Sequence, residues 1–320
     1  MMKNLIKLKK LVPLNFFKKK NNDTINIPMT GGNCPVNCRY CAVTNIDKRR
    51  CLWEKNTLIG INKAVTYINP PYKDQWVVTR PDVKQALRPF YKLDPNLFTG
   101  DIVCFNAVSD PFWKLYRDEL EFFLKRYSPV AKLVTCVTKM PVPSVLMKHV
   151  LSKYPNFRLI VSITGLDGIE GTSTESRLKT LARAKEYGIK AFPLCHPYIS
   201  GMSELSFLKP LKELGYDEID VKGFRYNPRF DGWMNKKSIE LYRGSNEDEV
   251  LIEDGWREKV RESGLKIVSL KDWYKMQNIT TPKLTREEAE LKVREVMKMA
   301  NITSSGTDEE VFESSVQRRL

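Results

Sequence analysis

Three cysteines within eight residues, Cys34-Pro35-Val36-Asn37-Cys38-Arg39-Tyr40-Cys41, follow Gly31 and Gly32 and carry the most distinctive chemistry in the chain. Thiolate sulfur is a soft ligand that suits iron-sulfur clusters and zinc above other metals. The Cys-x3-Cys-x2-Cys spacing reaches three corners of one iron-sulfur cube, a 4Fe-4S cluster, and leaves the fourth iron without a protein ligand. Such an iron can take a substrate or cofactor through nitrogen and oxygen, and Tyr40, beside Cys41, offers a flat face for a purine. A structural zinc site takes four ligands, commonly as two separated pairs, and no second pair stands among Cys51, Cys104, Cys136 and Cys195. Seven cysteines are an odd number for a disulfide framework. With no secretory leader at the start of the sequence, the expected compartment is the reducing cytoplasm.

These residues need a scaffold, and hydrophobic periodicity predicts one. Thr24 to Met29 reads as a short strand feeding the Gly31-Gly32 turn, which puts the cysteines at a strand's C-terminal end, the face on which parallel barrels build their sites. From residue 101 the elements alternate. Strands are predicted over 101–107, 130–138, 157–164, 189–195 and 218–223, and helices over 111–127, 142–154, 174–187 and 204–214, the last two stopped by Gly188 and Gly215. Six strands separated by helices predict an α/β fold, a partial (β/α)6 barrel of parallel strands. A doubly wound sheet fits less well, because no Gly-x-Gly-x-x-Gly follows the first strand. Residues 46–99, rich in proline and aromatics, are expected to carry one or two helices and part of a substrate wall. The organisation expected is a basic flexible arm over 1–23, the barrel over 24–225, a C-terminal helical extension over 226–300 and a disordered tail over 301–320. Within the extension, 227–254 reads as a polar loop, 256–263 as a helix, 265–270 as an edge strand and 286–300 as a helix capped by Thr285 and Glu288.

The cysteine motif resembles that of the radical S-adenosylmethionine (SAM) superfamily, and later segments extend the resemblance in order. They are Ser109-Asp110-Pro111-Phe112, Thr138-Lys139, Val161-Ser162-Ile163-Thr164, Arg177-Leu178 and His196-Pro197-Tyr198-Ile199-Ser200-Gly201. Together they are similar to the branch that includes spore photoproduct lyase, over about residues 27–223. The resemblance implies a partial barrel of the radical SAM type, a 4Fe-4S cluster on Cys34, Cys38 and Cys41, and reductive cleavage of SAM to methionine and a 5′-deoxyadenosyl radical. Ser109 and Lys139, at consecutive strand ends, would then hold the methionyl end of SAM. Ser162 and Thr164 would reach its ribose, Tyr40 and the backbone after the fifth strand its adenine, and Arg177 its carboxylate. Spore photoproduct lyases place a hydrogen-donating cysteine where this chain has Ala107, so the repair reaction itself does not transfer. Cys195, beside His196 at the end of the fifth strand, is expected to point into the site as a replacement donor, with Tyr198 relaying the electron equivalent outward. Asp167 and Glu170 read as turn residues, and His149 as a packing or surface residue.

The net charge of +15 invites a polyanionic partner. Seven lysines and no acid lie in residues 1–20, which leaves +8 for the other 300 residues. The function expected is radical modification or repair of a nucleic acid base or nucleotide, with a reductant such as a flavodoxin or ferredoxin as partner. Rival readings are radical modification of a peptide or protein, and a non-catalytic nucleic-acid-binding module with a structural metal. No run of about 18 apolar residues occurs, so no membrane span is expected.

Overall fold

A computed structural model of the chain describes residues 24–27, 34–41, 66–68, 75–77, 94–105, 110–244 and 255–279. The basic arm, Ser109, Ala107, the 286–300 helix and the tail lie outside the described residues. Among the described residues the main sheet has seven strands: β1 (Thr24–Ile27), β4 (Ile102–Phe105), β5 (Leu133–Thr138), β6 (Phe157–Ser162), β7 (Ala191–Cys195), β8 (Glu218–Val221) and β9 (Lys266–Ile267), hydrogen-bonded in that order. Every neighbouring pair is parallel. Among the described residues β1 does not pair with β9, so the sheet is an open, partial β/α barrel, the fold that the alternation of elements predicts. β2 (Thr66–Ile68) and β3 (Gln75–Val77) form a separate antiparallel pair, in a stretch where the sequence suggested helices.

Strand alternation sorts the side chains onto two faces. Val103, Phe105, Val134, Cys136, Leu159, Val161 and Cys195 belong to the core packed against the helices. Ile102, Leu133, Ile160, Phe192 and Leu194 form the opposite, inner face, which is closed by Tyr274 and Ile279. On the helix side, α1 (Arg117–Tyr127) buries Leu120, Phe123, Leu124 and Tyr127 along one stripe. Next come α2 (Ser144–His149), α3 (Thr174–Glu186) and α4 (Leu208–Glu213). Helix α3 is capped by Ser173, whose hydroxyl accepts from the Ser176 N–H, and is followed by Gly188 at φ 69°.

Three helices are shorter than their patterns predict, and α1 shows why. Asp110 turns 110–113 away from helix: its carboxylate accepts the Phe112 N–H at 3.1 Å, and its carbonyl accepts the Trp113 N–H at 3.3 Å. The α-helix therefore starts at Arg117, after a 3-10 turn at Lys114–Tyr116. One helix falls where the sequence suggested a polar loop, and another starts at the last residue of the expected 265–270 edge strand. α5 (Lys236–Arg243), capped by Asn235, is eight residues long and fully buries Ser238 and Tyr242. α7 (Leu270–Met276) begins after the capping residue Ser269 and cuts the predicted strand down to β9. Between them lies α6 (Trp256–Glu262). Among the described residues no helix is long and apolar enough to cross a membrane.

Candidate functional site

The cysteine loop folds as two tight turns, with Asn37 N–H donating to Cys34 O and Cys41 N–H to Cys38 O. Asn37 sits at φ 51°, a left-handed conformation that asparagine tolerates. The loop is tied to the segment after β6 by two backbone bonds, Arg39 N–H to Ile169 O at 3.1 Å and Gly171 N–H to Val36 O at 2.7 Å. Gly171 is needed here, since a Cβ would stand 2.5 Å from the Val36 carbonyl oxygen. Val36 then packs with Leu166, Ile199, Phe224, Phe230, Met234 and Tyr242.

None of the six described cysteines forms a disulfide. Cys34 and Cys41 are half-buried and Cys38 is buried. Burial pushes the Cys34 thiol up, with Asp110 adding to it. Burial also pushes Cys38 up, only partly opposed by the Lys139 amine. A bound metal supplies the positive charge that reverses this bias and leaves thiolate. Three sulfurs on one double turn fit a cluster whose iron atoms are ligated one by one. Among the described residues no three His, Cys, Asp or Glu side chains gather around a point suited to a single ion.

Next to the thiols, the strand ends bring together residues far apart in sequence. The Lys139 amine donates to Ser162 Oγ at 2.5 Å and to the His196 carbonyl at 3.0 Å. It also lies 3.2 Å from Glu170 Oε1 and 5.5 Å from the centre of the Tyr40 ring. Arg177 pairs with Glu170, and its guanidinium also donates to Thr172 O at 2.6 Å and Thr164 Oγ1 at 3.3 Å. The side chains of Arg177 and Glu170 are fully sealed, whereas Lys139 keeps 16% of its side chain open. Lys139 is therefore the member of this group that a ligand can reach. Burial lowers its amine to about 8, against the raising pull of Cys38. Burial lifts Glu170 to about 7, with Arg177 opposing. Asp110 anchors the Lys139 loop from below, accepting the Lys139 N–H at 2.8 Å, the Met140 N–H at 3.2 Å and the Thr138 hydroxyl at 2.8 Å.

On the inner face, His196 Nε2 lies 3.2 Å from Asp220 Oδ2, and Asp220 also accepts the Leu270 N–H at 2.9 Å. Burial lowers His196 although Asp220 pulls the other way. The His196 carbonyl, by contrast, belongs to the Lys139 network.

The predicted residues thus divide. Cys34, Cys38, Cys41, Tyr40, Lys139, Ser162, Thr164 and Arg177 come together, while Ser109 lies outside the described residues. The face of Tyr40 meets the Lys139 amine, and Phe224 stands edge-on to it at 6.5 Å. Cys195 does not point into the site. Phe192 and Leu194 of β7 hold the inner face, so alternation turns Cys195 to the helix side, where it is 0% exposed and burial pushes its thiol up to about 12. Tyr198 lies in the same core, its ring 5.8 Å from that of Trp256. Glu170, expected as a turn residue, is instead the buried carboxylate shared by Lys139 and Arg177. Asp167 is a turn residue, accepting the Thr174 N–H at 2.8 Å.

No family model matches the chain, and no curated protein matches it in sequence. Solved structures similar to it include a spore photoproduct lyase mutant with bound AdoMet and dinucleoside spore photoproduct, at 16% identity and TM-score 0.45, covering 85% of this chain and 81% of that one. Another is Streptococcus suis SuiB bound to S-adenosylmethionine, at 12% identity and TM-score 0.42, covering 78% of this chain and 48% of that one.

Proposed function

We propose that this chain is a radical SAM enzyme, with a 4Fe-4S cluster on Cys34, Cys38 and Cys41 and SAM beside it at the C-terminal ends of the strands. The observation that carries the reading is the juxtaposition of three thiols on one double turn with a reachable, buried-edge lysine, Lys139, whose amine is already directed by Ser162, His196 O and Glu170. When bound, the reduced cluster supplies the electron that splits SAM into methionine and a 5′-deoxyadenosyl radical.

The chain's own residues hold and screen the reactants. Lys139 offers a charge-assisted donor to the methionyl carboxylate, taking it in place of its internal acceptors. Arg177 and Glu170 keep the amine aimed without facing the ligand themselves. Ser162 and Thr164 supply hydroxyls for the ribose, and Tyr40 walls the adenine side. The Val36, Phe224, Phe230 and Tyr242 cluster keeps water from the loop that bears the thiols.

The substrate in this proposal is a nucleic acid base or nucleotide, supported by the net charge of +15, and the electron comes from a flavodoxin or ferredoxin in the cytoplasm. Anaerobic reconstitution tests the enzyme class. The protein takes up iron and sulfide and, once reduced, converts SAM to 5′-deoxyadenosine, and replacing Cys34, Cys38 or Cys41 by Ala abolishes both. A triple-Ala variant that still cleaved SAM would overturn the reading, and zinc without iron would favour the structural-metal rival. For the substrate class, binding of a nucleic acid weakens steeply with salt, and salt-independent binding of the true substrate would point to a peptide or a small neutral molecule.

A further inference from the structure

The segment that covers the cysteine loop has a surface of its own. Between Lys222 and Gly244 the chain carries six basic side chains and two acidic ones, and one acid, Asp231, is matched by Arg243 at 2.5 Å. Lys222, Lys236 and Lys237 are exposed. Beneath them Phe224, Phe230, Met234 and Tyr242 share one hydrophobic cluster with Val36, Cys38 and Tyr40, and Cys34 and Cys41 pack against it. Ring contacts run from half-buried Trp233 to Phe224 at 6.1 Å and on to Tyr40 at 6.5 Å, one residue from Cys41. On α5, Leu241 is 37% exposed, one helical turn beyond Lys237.

We propose that this face docks the electron donor, a small acidic carrier protein of the flavodoxin or ferredoxin class. The inference rests on the radical SAM reading above. Electron transfer weakens steeply with distance, so a protein donor must seat where the cysteine loop lies close beneath the surface, and here the loop and the surface share one cluster. The exposed lysines of this segment, Lys222, Lys236 and Lys237, steer an acidic partner toward it. Half-buried Trp233 and exposed Leu241 give this basic segment apolar surface of the kind protein interfaces use, an element that a phosphate backbone does not need. One electron leaves the carrier, oxidising it by one equivalent, and is consumed in breaking the carbon–sulfur bond of SAM to give methionine and the 5′-deoxyadenosyl radical. No proton moves with it.

The test uses the full-length, reconstituted protein carrying Lys236→Glu and Lys237→Glu, with 5′-deoxyadenosine formation as the readout. Driven by dithionite, the variant matches wild type. Driven by enzymatically reduced flavodoxin at low salt, it falls by about tenfold or more. The wild-type flavodoxin-driven rate also drops as salt rises, since exposed charges are screened within about 10 Å at 0.1 M. Equal flavodoxin-driven rates in variant and wild type overturn the docking face. So does a variant that keeps its flavodoxin rate but loses affinity for a single-stranded oligonucleotide, because the face then belongs to nucleic acid. Failure of wild type to cleave SAM even with dithionite overturns the radical SAM reading instead. If the double variant does not fold, Lys237→Glu alone carries the same test.

Discussion

On the helix side of the sheet, side chains meet neighbours from the same or adjacent β/α unit, as Phe123 of α1 meets Phe105 of β4 with ring centres 4.7 Å apart. At the strand ends, contacts join segments far apart in sequence: Lys139 to His196, Gly171 to Val36, Arg39 to Ile169. The first region is held by apolar burial, which is non-directional and tolerates approximate shape. The second adds, to the apolar cluster around Val36, ion pairs and single backbone bonds, each needing one partner at one place. Damage to the first should therefore appear as lost stability, and damage to the second as lost cofactor binding or activity in a chain that still folds.

The largest effects test where that division fails. Phe123→Ala opens a cavity in the helix-side core and should cost about 3–5 kcal/mol of unfolding free energy, while the protein that remains folded binds iron normally. Arg177→Met should cost a similar amount, about 3–5 kcal/mol, because it leaves Glu170 buried without its guanidinium. Adding Glu170→Leu should recover part of that loss. Chemical denaturation of the three variants decides, and an Arg177→Met protein as stable as wild type would mean the ion pair contributes no stability.

Gly171→Val isolates the cysteine loop. Its Cβ would press on the Val36 carbonyl, so the loop must shift at a cost of about 1–3 kcal/mol. Iron and sulfide content should fall far more than the melting temperature does, and a fully loaded variant would show that the loop is positioned by something other than this backbone contact. Lys139→Ala should leave iron content intact and weaken SAM binding by about 1–3 kcal/mol, measured by equilibrium dialysis. Unchanged affinity would leave the lysine serving only its internal acceptors.

The same division governs what was legible in the sequence. The apolar runs of β4 to β8 and the stripe of α1 are local signals, and the open parallel sheet follows from them. The cysteine spacing is local too, whereas Lys139, Ser162 and Thr164 stand out only through the family resemblance of the segments that carry them, taken in order. Glu170 was not legible, because its meaning depends on Arg177 arriving from α3 and Lys139 from β5. Helix α5 was missed because it hangs on two buried residues, Ser238 and Tyr242, held by Ser200 O and the Ser200 N–H. Nothing in residues 227–254 announces either partner.

Cys195 stands where the two regions meet, and it predicts the smallest effect. Placing it at a strand end suggested a thiol facing the site, yet the alternation that makes Phe192 and Leu194 inner-face residues turns Cys195 into the helix-side core. It remains within the electrostatic reach of Lys139, Glu170 and Arg177, so proximity alone does not separate a hydrogen donor from a packing residue. A buried thiol held up near 12 behaves as a small hydrophobe. Cys195→Ala should then cost about 1 kcal/mol for the lost sulfur volume, with cluster content, SAM cleavage and product pattern all unchanged. If the variant kept its stability and cleaved SAM but diverted the substrate radical to adducts, the side chain would have to reach the inner face during turnover. β7 would then be the one strand whose end is not fixed by its packing.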